Sequence, residues 1–192
     1  SNAPNLSDFK FVQHSLEKRS NPTIGFIGNL RDIYQLEVIE FLLEKTSLNV
    51  LQAGASDYKG RLKKLELKYE SRFTSMGKFN FDDLSNIWKK VDFAWCVYPE
   101  TYNYKYHTAR RLHEAAHIGI PVILSEHALG NIQYAKEYNL KYIKFKKDDL
   151  NYFLKKIYEY FEISNHDKAC SKKNYETYEL FNKRHIRAIL GD

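Results

Sequence analysis

Short runs of apolar residues alternate along this chain with longer stretches in which apolar residues recur at every third or fourth position. The apolar runs predict β-strands at residues 23–27, 48–53, 72–76, 93–98, 122–125 and 142–145. The stretches between them predict helices at residues 32–45, 58–69, 80–90, 111–118 and 130–138, with two more helices after residue 145. Helices must cover both faces of a sheet whose strands are apolar throughout, so this alternation is typical of a parallel sheet.

The order of the predicted elements restricts the topology of that sheet. Right-handed crossovers predict an α/β fold with a doubly wound, Rossmann-like and mostly parallel sheet of six strands, in the order 3-2-1-4-5-6. Ligands of such sheets bind outside the carboxyl ends of the strands, where the first and fourth strands meet. Two predicted loops, at residues 28–32 and 98–108, and the helix after the second loop converge there. We therefore expect one ligand crevice at this edge of the sheet.

Length and composition agree with one soluble globular domain. The chain has 192 residues, of which 43% are hydrophobic and 28% are charged. No apolar run approaches the roughly 18 residues of a transmembrane helix. Residues 1–22 are interpreted as a cloning scar and a linker from a missing N-terminal domain, residues 23–163 as the α/β domain, and residues 164–192 as a C-terminal helical tail.

Charge and metal-ligating residue types narrow the chemistry further. A formal net charge of +6 favours anionic partners, and diphosphates, acidic lipid head groups and nucleic acid all remain open. The seven histidines show no spacing that suits a metal, so we predict no metal site. Cys96 and Cys170 have no nearby cysteine and no histidine at metal-ligand spacing, and they are predicted to be reduced thiols.

Residues 111–125 carry the most informative pattern in the chain. A helix with an apolar stripe and one inward carboxylate, Glu114, is stopped by Gly119 and followed at once by a buried strand. Pro121 prevents the helix from continuing into that strand. The pattern predicts that Glu114 lies near the strand ends, whereas the alternative is an ordinary glutamate on a helix surface.

These fifteen residues resemble the donor-sugar half of glycosyltransferases with the GT-B architecture, in particular the large retaining group known as glycosyl transferases group 1. The helix of that group reads roughly Lys or Arg, Leu, x, Glu, Ala, x, x, x, Gly, x, Pro, Val, Ile, and the resemblance extends over about residues 23–145. In that family the glutamate matching Glu114 bonds the ribose hydroxyls of a nucleotide-sugar. A second family glutamate, eight positions earlier, is replaced here by Tyr106.

The loop after the first predicted strand is a candidate diphosphate site. Gly28 and Asn29 are small enough for backbone amides to approach a phosphate at a helix start, and Arg31 offers a charged fork. The family often has arginine directly after this glycine, where Asn29 stands here. Gly54, which closes the second strand as its family counterpart does, permits close backbone approach. The alternative for Arg31 is a solvated arginine in the first turn of a helix.

The resemblance implies further contacts in three other segments. Lys78 and Phe79 lie where the family has a glycine-containing turn next to the nucleobase, although Phe79 fits the core equally well. Glu100, in the tyrosine-rich loop over the donor sugar, is a candidate substitute for the glutamate replaced by Tyr106. Arg111 stands at the family's basic position before the leucine and is assigned a phosphate contact.

The function implied by the resemblance is transfer of a sugar from a nucleotide-sugar, such as a UDP- or GDP-sugar, to a glycan or lipid-linked acceptor in bacterial surface polysaccharide synthesis. The acceptor would be bound through the missing N-terminal domain, so this chain is not expected to be active alone, and its catalytic residues are not identified. No cofactor or nucleic acid is expected, and the location is cytoplasmic, with peripheral contact to the inner face of the membrane as a further hypothesis. Two alternatives remain: a non-catalytic Rossmann-like module for an anionic partner such as nucleic acid, and a sugar-nucleotide epimerase.

Overall fold

The computed structural model describes residues 20–166. Six parallel strands form one sheet in the order β3-β2-β1-β4-β5-β6, which confirms the predicted α/β class and strand order. The strands are β1 Thr23–Ile27, β2 Asn49–Ala53, β3 Phe73–Ser75, β4 Phe93–Cys96, β5 Val122–Ser125 and β6 Tyr142–Phe145. The strand order reverses between β1 and β4, because strands before that point extend the sheet to one side and later strands extend it to the other, and doubly wound sheets open a crevice there.

Helices cover both faces of the sheet. They are α1 Ile33–Lys45, α2 Lys59–Lys68, α3 Leu84–Trp88, α4 Tyr102–Tyr106, α5 Arg110–Ile118, α6 Leu129–Glu137 and α7 Leu150–His166. Apolar residues of α3, α5 and α6 pack on one face, and those of α1, α2 and α7 pack on the other. Within β4, Ala94 and Cys96 belong to the first core and Phe93 and Trp95 to the second, as the alternation of side chains along a strand requires.

The predicted helix boundaries nearest the crevice follow from local chemistry. Asp32 caps α1, because its side chain accepts a hydrogen bond of 2.9 Å from the Tyr34 backbone N–H. Gly119 ends α5 in the left-handed conformation with φ 78°, and the N–H of Ile120 then reaches the Ala115 carbonyl at 2.9 Å. The glycine stop expected from the sequence is therefore confirmed.

Two local predictions were wrong. The segment expected to be a loop at residues 98–108 contains the helix α4, whose start is capped by the Thr101 side chain and whose end packs on α6. A Cβ atom added to Gly130 of α6 would run into the Tyr106 backbone carbonyl, so the two helices approach as closely as a glycine allows. The helix expected at residues 80–90 is shorter than predicted, because a 3-10 turn at Phe81–Asp83 precedes α3.

Several predictions fall beyond the described residues. These are the linker and cloning scar up to residue 19, the tail from residue 167 onwards, and the state of Cys170. Cys96, by contrast, is buried in β4 as a free thiol, and burial raises its pKa to about 12. Within residues 20–166, none of the helices combines the length and apolar character needed to cross a bilayer.

Candidate functional site

Three glycines connect the loops at the carboxyl ends of β1, β2 and β3. Gly28, Gly54 and Gly77 all have positive φ angles, of 119°, 135° and 66°. The Gly28 N–H donates to the Ala53 carbonyl at 2.6 Å, and the Gly54 N–H donates to the Gly77 carbonyl at 2.7 Å. L-residues with side chains rarely adopt these angles, so glycine is required where the loops turn away from the sheet.

The first two loops are also locked together by close packing. A Cβ atom on Gly54 would overlap the Gly28 carbonyl and lie 3.0 Å from the Asn29 nitrogen. The Asn29 side chain accepts a hydrogen bond of 3.2 Å from the Ala55 N–H, and the Leu30 N–H donates to the Ala55 carbonyl at 2.8 Å. Consequently, the loop after β1 has little freedom to change shape.

These contacts already occupy three of the backbone amides between β1 and the first turn of α1. The N–H groups of Gly28 and Leu30 donate to carbonyls at the end of β2 and in the loop after it, and that of Tyr34 donates to the Asp32 side chain. Amides that already have partners are poor donors to a phosphate, and the Asp32 carboxylate repels an anion at the start of α1. A cation brought from elsewhere is therefore the stronger candidate for a phosphate contact.

Arg111 brings such a cation to the loop. Its guanidinium lies against Gly28, where an added Cβ atom would be 2.6 Å from Nη2 and 2.9 Å from Nε. The side chain starts in α5 and crosses to the loop after β1, so it spans the point where the strand order reverses. Only a glycine at position 28 leaves room for this approach.

Glu114 lies on the same helix and is buried, with 4% of its surface exposed. The Arg110 Nε atom donates to its Oε1 atom at 3.0 Å. Burial raises the pKa of the Glu114 carboxyl, and the charges of Arg110 and Arg111 partly oppose that rise. The indole of Trp88 also favours the ionised form, although its buried Nε1 atom has no partner in hydrogen-bonding geometry among residues 20–166.

Aromatic rings form the wall on the β4 side. Tyr98 stacks on Tyr104 of α4, with ring centroids 4.7 Å apart and an angle of 15° between the planes. The Ser125 hydroxyl accepts from the Tyr98 N–H at 2.9 Å and donates to the Tyr98 carbonyl at 3.0 Å, which joins the ends of β4 and β5. Burial raises the pKa of the Tyr98 hydroxyl to about 12, and the Arg111 charge opposes the rise.

The structure brings together Gly28, Gly54 and Arg111, with Glu114 close to Arg111 on α5. The remaining predicted site residues have less defined surroundings. Arg31, Lys78 and Glu100 are exposed, Tyr106 is 58% exposed with the Lys105 amine 5.5 Å from its ring centroid, and Phe79 is partly buried against the core. Their contacts with a ligand stay predictions.

Two residues of this site were not predicted. Arg110 had a usable signal, since a cation four residues before a glutamate on a helix is placed to pair with it. Trp88 had none, because its position beside Glu114 depends on how α3 packs against α5. Tyr98 belongs to the tyrosine-rich loop that the sequence predicts over the donor sugar, and the structure places it near Arg111.

Apart from this site, residues 20–166 contain a groove and no metal-binding cluster. A shallow groove of about 560 Å³ runs along α6, and none of the predicted site residues lines it. Within the described part of the chain, no cluster of three histidine, cysteine, aspartate or glutamate residues is placed to hold a metal ion.

Comparison with known proteins gives a result at the level of fold. No protein-family model matches the chain. Nor does any curated protein match it. Solved structures of glycosyltransferases do match, and the chain spans about half the length of those structures.

Three of these structures illustrate the likeness. HepE from Anabaena, solved in complex with UDP-glucose, matches with a TM-score of 0.62 and 15% identity, over 90% of this chain and 49% of that one. AviGT4, a glycosyltransferase involved in avilamycin A biosynthesis, matches with a TM-score of 0.56 and 11% identity, over 91% and 52%. WaaG, a glycosyltransferase involved in lipopolysaccharide biosynthesis, matches with a TM-score of 0.52 and 18% identity, over 84% and 44%. The chain therefore has the fold of one half of a GT-B glycosyltransferase, which is the fold that the resemblance of residues 111–125 implied.

Proposed function

We propose that this chain is the donor-binding half of a glycosyltransferase and that it holds a nucleotide-sugar in the crevice between β1 and β4. One observation carries the proposal: the Arg111 guanidinium lies against Gly28, while the buried Glu114 carboxylate lies one turn further along the same helix. A cation can bind phosphates, and a carboxylate can accept hydrogen bonds from ribose hydroxyl groups. The two side chains on adjacent turns therefore match the two polar parts of a nucleoside diphosphate, which are its phosphates and its ribose.

Arg111 would bind the diphosphate. Its planar fork suits phosphate oxygens, and its position over a glycine leaves the guanidinium close to the loop surface without an intervening side chain. During transfer, the bond between the sugar and the diphosphate breaks and negative charge grows on the leaving phosphate oxygen. A fixed guanidinium beside that oxygen stabilises the charge.

Glu114 would bind the ribose. An ionised carboxylate only accepts hydrogen bonds and offers about four lone-pair sites, of which the Arg110 contact uses one. Adjacent ribose hydroxyls can donate to the remaining sites. The solved complex of HepE with UDP-glucose supports a UDP-sugar as the first donor to test.

The wider function is part of the same proposal. The sugar would pass to a glycan or lipid-linked acceptor in surface polysaccharide synthesis on the cytoplasmic side of the membrane, with the acceptor bound by chain beyond this half. The basic residues are the reason to test membrane contact, and the measurement is flotation with vesicles that contain anionic lipid. Neither a metal nor a cofactor has a step in this scheme.

The decisive test is calorimetric titration of the 192-residue chain with UDP, GDP, ADP and UDP-glucose. We expect one base to bind, with affinity lost in Glu114→Gln and Arg111→Met. Arg61→Gln, which breaks an exposed ion pair with Glu40 on the α1 and α2 surface, is the matched control and should bind like the wild type. No binding of any nucleotide by the wild type, or equal binding by all variants, would contradict the proposal.

A further inference from the structure

The contact between Arg110 and Glu114 joins a buried carboxylate to an exposed cation. The Glu114 side chain is 5% exposed and the Arg110 side chain is 56% exposed, yet Nε and Oε1 are 3.0 Å apart. A surface pair between i and i+4 on a helix contributes only about 0.3–0.5 kcal/mol. This pair differs because one partner is removed from solvent, so the charge of Glu114 depends on the few groups around it.

Those groups come from three elements of the fold. Arg110 and Arg111 lie on α5, the Trp88 indole on α3, and the Cys96 thiol and Tyr98 hydroxyl at the end of β4. The thiol and the hydroxyl both have pKa values raised to about 12, so both are neutral at neutral pH and place no second negative charge beside Glu114. The two arginines are thus the cations that face Glu114.

The two arginines have different tasks. The guanidinium of Arg111 lies against Gly28, 2.6 Å from the place of a Cβ atom, on the side where a diphosphate would bind. Two phosphate charges at that place would offset most of the electrostatic effect of Arg111 on Glu114. Arg110, in contrast, makes the direct contact with the carboxylate.

We propose that Arg110 is a positioning residue, which holds the buried Glu114 carboxylate ionised and fixed in place so that it can accept hydrogen bonds from the hydroxyl groups of a ligand. The inference rests on the proposed function, because the ligand hydroxyls are those of the nucleotide ribose. A protonated carboxyl would lose this purely accepting character and would present an O–H group to a hydroxyl pair. Burial already raises the pKa of Glu114, so loss of Arg110 raises it further.

Two measurements test this inference on the 192-residue chain. The first follows the side-chain carboxyl carbons by NMR between about pH 4 and 9, in protein with ¹³C-labelled glutamate and with Glu114 assigned from Glu114→Gln. The second measures the affinity for UDP over the same pH range. Both use the wild type, Arg110→Gln, Arg110→Lys and the control Arg61→Gln, which removes a comparable contact with Glu40.

We expect Arg110→Gln to raise the pKa of Glu114 and to bind UDP more weakly, with the loss growing to roughly tenfold or more as pH falls into the range where the carboxyl takes up a proton. Arg110→Lys should restore most of the affinity and of the pH profile, because it restores the charge. The control should match the wild type in both measurements. A purely structural role for Arg110 would instead weaken binding equally at all pH values.

The outcomes separate the inference from the function on which it rests. An unchanged titration of Glu114 in Arg110→Gln, with normal UDP binding by the wild type, would overturn the role of Arg110 and leave the nucleotide site standing. Failure of the wild type to bind UDP or any other nucleoside diphosphate would overturn the proposed function and the ligand role of Arg110 with it. The NMR titration would still decide whether Arg110 keeps the carboxylate ionised.

Discussion

The two sides of the crevice are built by different means. On the β1, β2 and β3 side the loops meet through glycines and backbone hydrogen bonds, as in the contact of Gly54 with Gly28. On the β4 and β5 side the surface consists of charged and aromatic side chains, among them Arg111, Glu114 and Tyr98. The first side supplies shape and the second supplies chemistry, so substitutions on the two sides should affect different measurable quantities.

The largest expected effect is on the glycine side. In Gly54→Ala the new Cβ atom meets the Gly28 carbonyl, at a φ of 135° that alanine rarely adopts, so we expect a loss of about 3 kcal/mol in the free energy of unfolding. Urea denaturation measures this loss. Gly60→Ala in α2 is the matched control, since its Cβ atom would meet nothing within 4 Å and alanine favours the helix by about 1 kcal/mol. Equal stability of the two variants would contradict the inference that close packing of Gly54 on Gly28 stabilises the fold.

Arg111→Met should separate binding from stability. The side chain is half-buried, so the folded state loses little, whereas a charge-assisted contact with phosphate contributes about 1.5–3 kcal/mol and its loss lowers affinity roughly tenfold to a hundredfold. Titration with UDP and with uridine checks the assignment. The loss should be large for UDP and small for uridine, and an equal loss for both would show that Arg111 does not contact the phosphates.

Glu114→Gln should weaken nucleotide binding and stabilise the empty protein. The folded-state pKa of Glu114 is raised above the unfolded value, so stability falls as pH rises from the unfolded pKa to the folded pKa, and the full cost is present above the latter. Glutamine retains an acceptor for Arg110 without a buried charge. We expect the Tm at pH 7 to rise, by roughly 2–4 °C for each 1 kcal/mol of that cost in a domain of this size.

The difference in Tm between Glu114→Gln and the wild type should shrink at about pH 4, where both proteins carry a neutral side chain at position 114. Differential scanning calorimetry at the two pH values gives the comparison. A lower Tm for Glu114→Gln at neutral pH would show that the carboxylate stabilises the fold. Glu114 would then be an exception to the rule that the β4 and β5 side of the crevice serves binding rather than stability.

The smallest expected effect concerns the aromatic wall. Tyr104→Leu removes the stacked ring on Tyr98, and aromatic pairs contribute about 0.5–1.5 kcal/mol beyond their buried area. The free energy of unfolding in urea should fall by that amount. Tyr152→Leu on α7, where the ring is 52% exposed, is the control with an expected change within about 0.5 kcal/mol. Equal losses would mean that the stack does not hold α4 in place.

The sheet topology and the main helix ends were predictable because they depend on short-range chemistry. Apolar runs separated by amphipathic stretches leave few topologies once crossovers must be right-handed, and the observed order β3-β2-β1-β4-β5-β6 is one of the common ones. Asp32 as a helix cap and Gly119 as a helix stop act through backbone groups within a few residues of themselves. The same holds for the inward position of Glu114, which follows from the apolar stripe of α5.

The contacts that give the crevice its chemistry depended on tertiary packing. Arg111 reaches Gly28, the Gly28 carbonyl packs against Gly54, and Trp88 lies beside Glu114, although each pair is far apart in sequence. Likewise, α4 lies in a segment whose residue pattern indicates only a loop, and it packs against Gly130 of α6. Hydrophobic periodicity specifies which face of an element is buried, whereas the residue met across an interface depends on the angle and depth of packing. The chain's residue pattern thus established its fold and pointed to the crevice, and packing between distant segments decided which charges meet there.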